Sequence, residues 1–191
     1  MLEIRFHGRG GQGTVLAAKM LASAVLKSGR GECLALPEFG VERRGAPVRA
    51  FARIAKEPIY VRSRVYNPDV VVVMDPVLIE DPAVVHGLKS GGAIVVNSEQ
   101  SEAELSKRWP GFQVRAVAAR HIALKHGLGT RTSPVVNTVM IGVLCAALEL
   151  ADMDSLDAAI RESVPVKIDE NLAAAREGYA SFREGGTHAA S

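Results

Sequence analysis

Gly8-Arg9-Gly10-Gly11-Gln12-Gly13 sets four glycines, an arginine and a glutamine between an alternating segment, Leu2 to Phe6, and an Ala/Leu/Met/Lys-rich stretch, Thr14 to Ser28. Between a strand and a helix, the pattern G-x-G-x-x-G has a physical meaning. Glycines let the backbone turn tightly and approach an anion, and the free N–H groups of a helix start present partial positive charge. Such a turn accepts a phosphate or a carboxylate, and Arg9, Gly10, Gly11, Gln12 and Gly13 are its candidate residues. The same glycines would also serve helix–sheet packing alone. Dinucleotide binding further requires an acid about 20 positions on, at the end of the second strand. Glu32 has nearly that spacing, but it begins the strand Glu32 to Leu36, and Pro37-Glu38 follows it. The ribose-binding role is therefore poorly supported.

Other polar residues gather near apolar segments. Arg43 and Arg44 have the planar donors to clamp a phosphate or carboxylate, or else to pair with Glu38, Glu42 or a neighbouring subunit and so fix their own loop. Asn137 precedes Thr138 and an apolar run, where an N-cap and a ligand contact are both open. His7, beside the glycine turn, could donate to a ligand, although a backbone hydrogen bond is the commoner fate. Asp69 and Asp75 bracket a β-branched run. No paired-carboxylate, Ser/His/Asp or metal-ligand spacing accompanies these residues, so no catalytic residue is assigned.

The elements that must position these residues follow from periodicity. Leu2 to Phe6, Glu32 to Leu36, Val70 to Met74, Ala93 to Val96 and Gln113 to Val117 read as strands, with Asp75 at a strand's carboxyl end. Thr14 to Ser28 reads as a helix, and with its flanking strands it is expected to make a βαβ unit. Pro37 to Pro47 is a special loop. Val48 to Ile54 alternates with period two and is predicted to pair with Ile59 to Val61 across Lys56-Glu57-Pro58 as a hairpin. Helices are predicted at Ala83 to Leu88, Ser101 to Arg108 with a Ser101/Glu104 capping box, His121 to His126, Asn137 to Leu150, Ser155 to Ser163 and Asp169 to Phe182. Residues 185–191 read as a frayed tail. The expected class is α/β: a Rossmann-like three-layer sandwich, its sheet mostly parallel, with a β-hairpin insertion and a helical C-terminus.

Composition sets outer bounds. A chain of 191 residues, 48% hydrophobic, fills one core comfortably, so one domain over 1–191 is expected. A net charge of +2 is too balanced for a general nucleic-acid surface. The longest apolar runs fall short of the roughly 20 residues that cross a bilayer, and the start does not read as a leader, so no membrane contact and a cytoplasmic location are expected. The two cysteines, Cys33 and Cys145, are far apart in sequence and read as small buried hydrophobes.

Several segments taken in order resemble the gamma subunit of pyruvate:ferredoxin oxidoreductase and the matching domain of single-chain pyruvate:ferredoxin/flavodoxin oxidoreductases. They are Arg5-Phe6-His7 with the glycine turn, Pro37 through Val48, Pro68-Asp69 through Asp75, Gly91-Gly92 with Val96-Asn97-Ser98, and Val136-Asn137-Thr138. The stretch F-G-x-E-R-R-G-A-P-V, Phe39 to Val48, is the most specific. The resemblance implies a gamma-type domain, inactive by itself, in a complex that decarboxylates a 2-oxoacid oxidatively to an acyl-CoA and reduces ferredoxin. It implies alpha, beta and delta partner subunits, with thiamine diphosphate, Mg, 4Fe-4S clusters and coenzyme A held on or with those partners and no cofactor held by this chain alone. Arg44-Gly45-Ala46-Pro47 resembles the pyruvate branch more than the 2-oxoglutarate or indolepyruvate branches. The turn at Arg9 to Gly13 is then expected to meet coenzyme A phosphate or a partner's backbone.

Overall fold

A computed structural model describes residues 1–38 and 45–185. Eight-residue β1 (Leu2–Arg9) leads into α1 (Thr14–Lys27), followed by β2 (Glu32–Pro37) and β3 (Pro47–Ala55). Then come β4 (Val70–Val73), β5 (Ala93–Asn97), α2 (Glu102–Arg108), β6 (Gln113–Val117) and α3 (Ala119–Lys125). A two-residue ribbon, β7 (Gly129–Thr130) with β8 (Ser133–Pro134), precedes α4 (Asn137–Ala147), α5 (Met153–Ser163) and α6 (Ile168–Gly185).

The main sheet has the order β2-β3-β1-β4-β5-β6. β1, β4, β5 and β6 are parallel, as expected of the all-valine β4, whose four side chains are buried. On one side of the sheet α1, α4, α5 and α6 pack against Ile4, Phe6, Ala50, Ala52, Val70 and Val72. Val71, Val73, Ile94, Val96 and Val114 face the other side, under Leu105 and Trp109. Alternation along each strand thus supplies two apolar layers from one sheet. α4 is apolar all round and buried at every position from Asn137 to Ala146, which suits a helix enclosed between α1, α6 and the sheet.

Three expectations are corrected. β2 is not the neighbour of β1: β3 lies between them, antiparallel to both, so the expected simple βαβ unit is split. The hairpin of 48–54 with 59–61 does not form, because both edges of β3 are taken by β1 and β2. Backbone carbonyls of Val61, Ser63 and Arg64 are instead bound by the buried Arg53 guanidinium, at 3.1, 2.6 and 3.2 Å. The helix expected at 83–88 is absent: the short 3-10 turn Pro82–Val84 overlaps its start, and a second such turn, Pro76–Glu80, precedes it. Each follows an Asp-Pro pair whose aspartate, Asp75 or Asp81, caps the turn by accepting from the N–H two residues on. The Ser101/Glu104 capping box is present as expected. Of the expected tail, residues 186–191 lie outside the described residues.

Candidate functional site

The chain leaves β1 toward β2 on one side of the sheet, and β4 leads toward β5 and β6 on the other. The carboxyl ends of β1 and β4 therefore flank the point where connections diverge, the place where open α/β sheets bind ligands. A cleft of about 320 Å³ opens there, lined by Arg9, Gln12, Asp75, Asn97, Arg120 and Ser133 among others.

Asp75 organises the cleft. It ends the buried run after β4, is itself only 3% exposed, and its Oδ2 accepts from Arg9 Nε at 2.6 Å and Gln12 Nε2 at 2.5 Å. Oδ1 accepts from Val77 N–H at 2.9 Å. Gln12 in turn accepts from Arg9 N–H at 2.7 Å, so one carboxylate and one amide fix the whole glycine turn. A carboxylate this deeply buried is tolerated because both oxygens are bonded and one faces a guanidinium.

Gly13 starts α1 at φ 75°, the left-handed region, and a Cβ there would lie 2.5 Å from Asn137 Nδ2. Glycine is required on both counts. No acidic side chain sits in the first turn of α1, so the positive end of its dipole is not neutralised from within that turn. On the outer side of the turn, Gly11, Gly13, Thr14 and Lys19 line a second groove of about 410 Å³.

The structure brings together Arg9, Gly10, Gly11, Gln12, Gly13 and Asn137. Asn137 does not act as the expected N-cap: Val136 holds that position, and Asn137 lies inside the helix against Gly13, its Oδ1 accepting from Thr138 N–H at 2.9 Å. Arg43 and Arg44 lie outside the described residues. The segment that follows them is nevertheless clamped to the turn: Gly10 N–H donates to Ala46 O at 2.9 Å and Gly45 N–H to Gly10 O at 3.1 Å. The two motifs singled out in sequence are thus adjacent.

His7 points away from any ligand role. It is buried within β1 and accepts at Nε2 from Arg5 Nε at 2.8 Å. Burial foremost, then the charges of Arg5 and Arg49, lower its pKa to about 3, so the ring is neutral. Sequence reasoning missed Asn97 and Arg120. Asn97 ends β5 as Asp75 follows β4; its Nδ2 donates to Met74 O at 3.0 Å and its Oδ1 accepts from Arg120 N–H at 3.1 Å. A polar residue at the carboxyl end of a β-branched run was the available signal. Arg120 is exposed at the cleft and donates to Arg131 O at 2.7 Å. With Arg9 and Arg120 against Asp75, the cleft has a surplus of positive charge, which favours an anion.

Cys145 matches the reading of a small buried hydrophobe, whereas Cys33 is only partly buried; burial pushes both thiols up to about 12. Among the described residues no group of three or more His, Cys, Asp or Glu side chains could hold a metal ion, and no helix is long and apolar enough to cross a membrane. Glu38, the acid just past β2, accepts two hydrogen bonds from Arg49 at 2.6 and 2.9 Å and pairs with Arg64 at 3.1 Å. It is engaged by protein rather than held open for a ribose.

Comparison with known proteins bears on this geometry. The family model described as pyruvate ferredoxin/flavodoxin oxidoreductase matches residues 3–181. The "Pyruvate/ketoisovalerate oxidoreductases common subunit gamma" of Thermococcus kodakarensis is 47% identical over 183 residues, 94% of this chain and 96% of that protein. "Pyruvate synthase subunit PorC" of Methanothermobacter marburgensis is 45% identical over 187 residues, 97% of this chain and 100% of that one. Among solved structures, the pyruvate oxidoreductase subunit PORC of Thermotoga maritima superposes with a TM-score of 0.77 at 38% identity, covering 94% of this chain and 95% of that one.

Proposed function

Because the chain belongs to the pyruvate ferredoxin/flavodoxin oxidoreductase family, we propose that it works as the gamma-type subunit of a 2-oxoacid:ferredoxin oxidoreductase. Residues 1–191 serve in this reading as one gamma-type domain. Relatives that match nearly end to end and are named as a common gamma subunit or as subunit PorC support this assignment over a freestanding nucleotide-binding enzyme, as does the engagement of Glu38 by two arginines. The finer expectations are a pyruvate-like substrate, alpha, beta and delta partners, ferredoxin as acceptor and a cytoplasmic location. Thiamine diphosphate and the iron–sulfur clusters supply the decarboxylation and electron-transfer chemistry on partner subunits.

Within that complex, this chain contributes the cleft at the ends of β1 and β4. The single observation that carries the reading is the turn from Arg9 to Gln12, fastened by Asp75 beside the unneutralised start of α1. Its chemistry is to receive an anionic group, with the phosphates of coenzyme A as the proposed occupant. Arg43 and Arg44, adjoining the clamped Gly45-Ala46, are proposed to add charge to the same pole.

Arg9→Ala in the assembled complex tests the ligand role. Loss of a charge-assisted hydrogen bond, about 1.5–3 kcal/mol, is expected to raise the KM for coenzyme A about tenfold or more while assembly and the KM for the 2-oxoacid hold. Unaltered coenzyme A kinetics would mean that the turn touches only protein.

A further inference from the structure

The two faces of the β2–β3–β1 side of the sheet are covered unequally. α1 packs on the face of Cys33, Ala35 and Ala52. Leu34 and Leu36 project on the opposite face, in register with Arg53 and Phe51, and remain partly exposed. Among the described residues that face carries the loop 56–69 rather than a helix. Three of the seven exposed large hydrophobic residues, Tyr60 at 84%, Val61 at 48% and Tyr66 at 69%, fall in this loop. Scattered exposed apolar residues need no explanation, but three of them in one loop, on the face where Leu34 and Leu36 are only half-buried, do.

The loop is held rather than loose. Arg53, 2% exposed, binds three of its carbonyls and pairs with Glu3 at 2.9 Å, spending a buried guanidinium on fixing surface backbone. Aromatic side chains on a fixed backbone lose little entropy on contact, which is what interface anchors require. The loop is also basic: between 56 and 66, Lys56, Arg62 and Arg64 stand against Glu57 alone. Glu38, which pairs with Arg64, is already shared with Arg49.

We propose that Leu34, Leu36, Tyr60, Val61, Arg62 and Arg64 form the surface on which another subunit of the oxidoreductase docks, one presenting an apolar recess bordered by Asp and Glu. The proposal rests on the subunit reading above. A second copy of this chain is disfavoured as occupant, since a two-fold interface would bring this basic surface against itself.

The test uses the complex purified through a tag on this chain. Arg62→Glu/Arg64→Glu is expected to lower recovery of a partner subunit at least about tenfold, by placing like charges across the contact. Lys107→Glu, an exposed position on α2 beside β6 at the opposite edge of the sheet, is expected to leave recovery as in wild type. In a second measurement Tyr60 is replaced by a benzophenone amino acid, and illumination is expected to crosslink it to an Asp/Glu-bordered segment of a partner subunit. Full recovery with the double variant, or crosslinking only to a second copy of this chain, overturns the proposal while leaving the subunit reading intact. A wild-type chain that brings down no partner overturns both.

Discussion

At the level of single residues, the molecule fastens its candidate site with a buried carboxylate whose side-chain partners come from a distant part of the chain. Asp75 joins Arg9 and Gln12 across more than sixty residues. His7, also buried and hydrogen-bonded to Arg5 two residues away, adds a pH consequence. Its folded pKa, about 3, lies below the usual histidine value of 6.5, so the unfolded chain binds the proton more readily. The neutral ring therefore contributes stability fully above about pH 6.5, and that contribution is lost as pH falls toward 3. Between pH 6.5 and 4.5 the loss is about 2 kcal/mol, the slope approaching 1.36 kcal/mol per unit below pH 6.5. His7→Gln keeps an acceptor for Arg5 without titrating, and urea midpoints measured over that range are expected to fall less steeply than in wild type. Equal slopes would show that His7 charges freely in the fold. The glycine turn was legible in sequence because its residue types carry their own geometry. Asn97 and Arg120 were not, since a polar residue after a strand gains meaning only when a neighbouring strand end lies beside it.

At the level of elements, strands and helices were legible where one physical pattern decided them. The valine run of β4, the capping box of α2 and the apolar α4 each appear where their side chains demand. Pairing was less legible. The alternation of Val48 to Ile54 marks a strand but not its neighbours, and nothing in it says that β3 pairs with both β2 and β1. The competing hairpin failed because β1 and β2 occupy both edges of β3, and which strands will take an edge is not written in periodicity. Close packing of α4 on α6 is a further feature visible only in three dimensions. A Cβ at Gly142 would sit 2.2 Å from Ala175 O, where a backbone atom blocks it. Gly142→Ala is expected to cost about 1–3 kcal/mol despite alanine's higher helix propensity, read as a lower melting temperature. An unchanged or raised melting temperature would show that the two helices part without penalty.

At the scale of the whole molecule, the layout separates two tasks. The carboxyl ends of β1 and β4 carry the cleft proposed to accept an anion, while the half-buried β2 edge and the basic, tyrosine-bearing loop lie off the cleft. Such a division suits a subunit that brings one ligand-binding edge to a site completed by other chains. The most direct measurement is anaerobic affinity purification of the tagged chain from its native host, with identification of what accompanies it and an assay of coenzyme A-dependent, pyruvate-driven reduction of a viologen dye. Co-purification of a thiamine- and cluster-containing partner with that activity is the expected result, with no turnover by the chain alone. A chain that purifies alone and binds a dinucleotide would contradict the assignment.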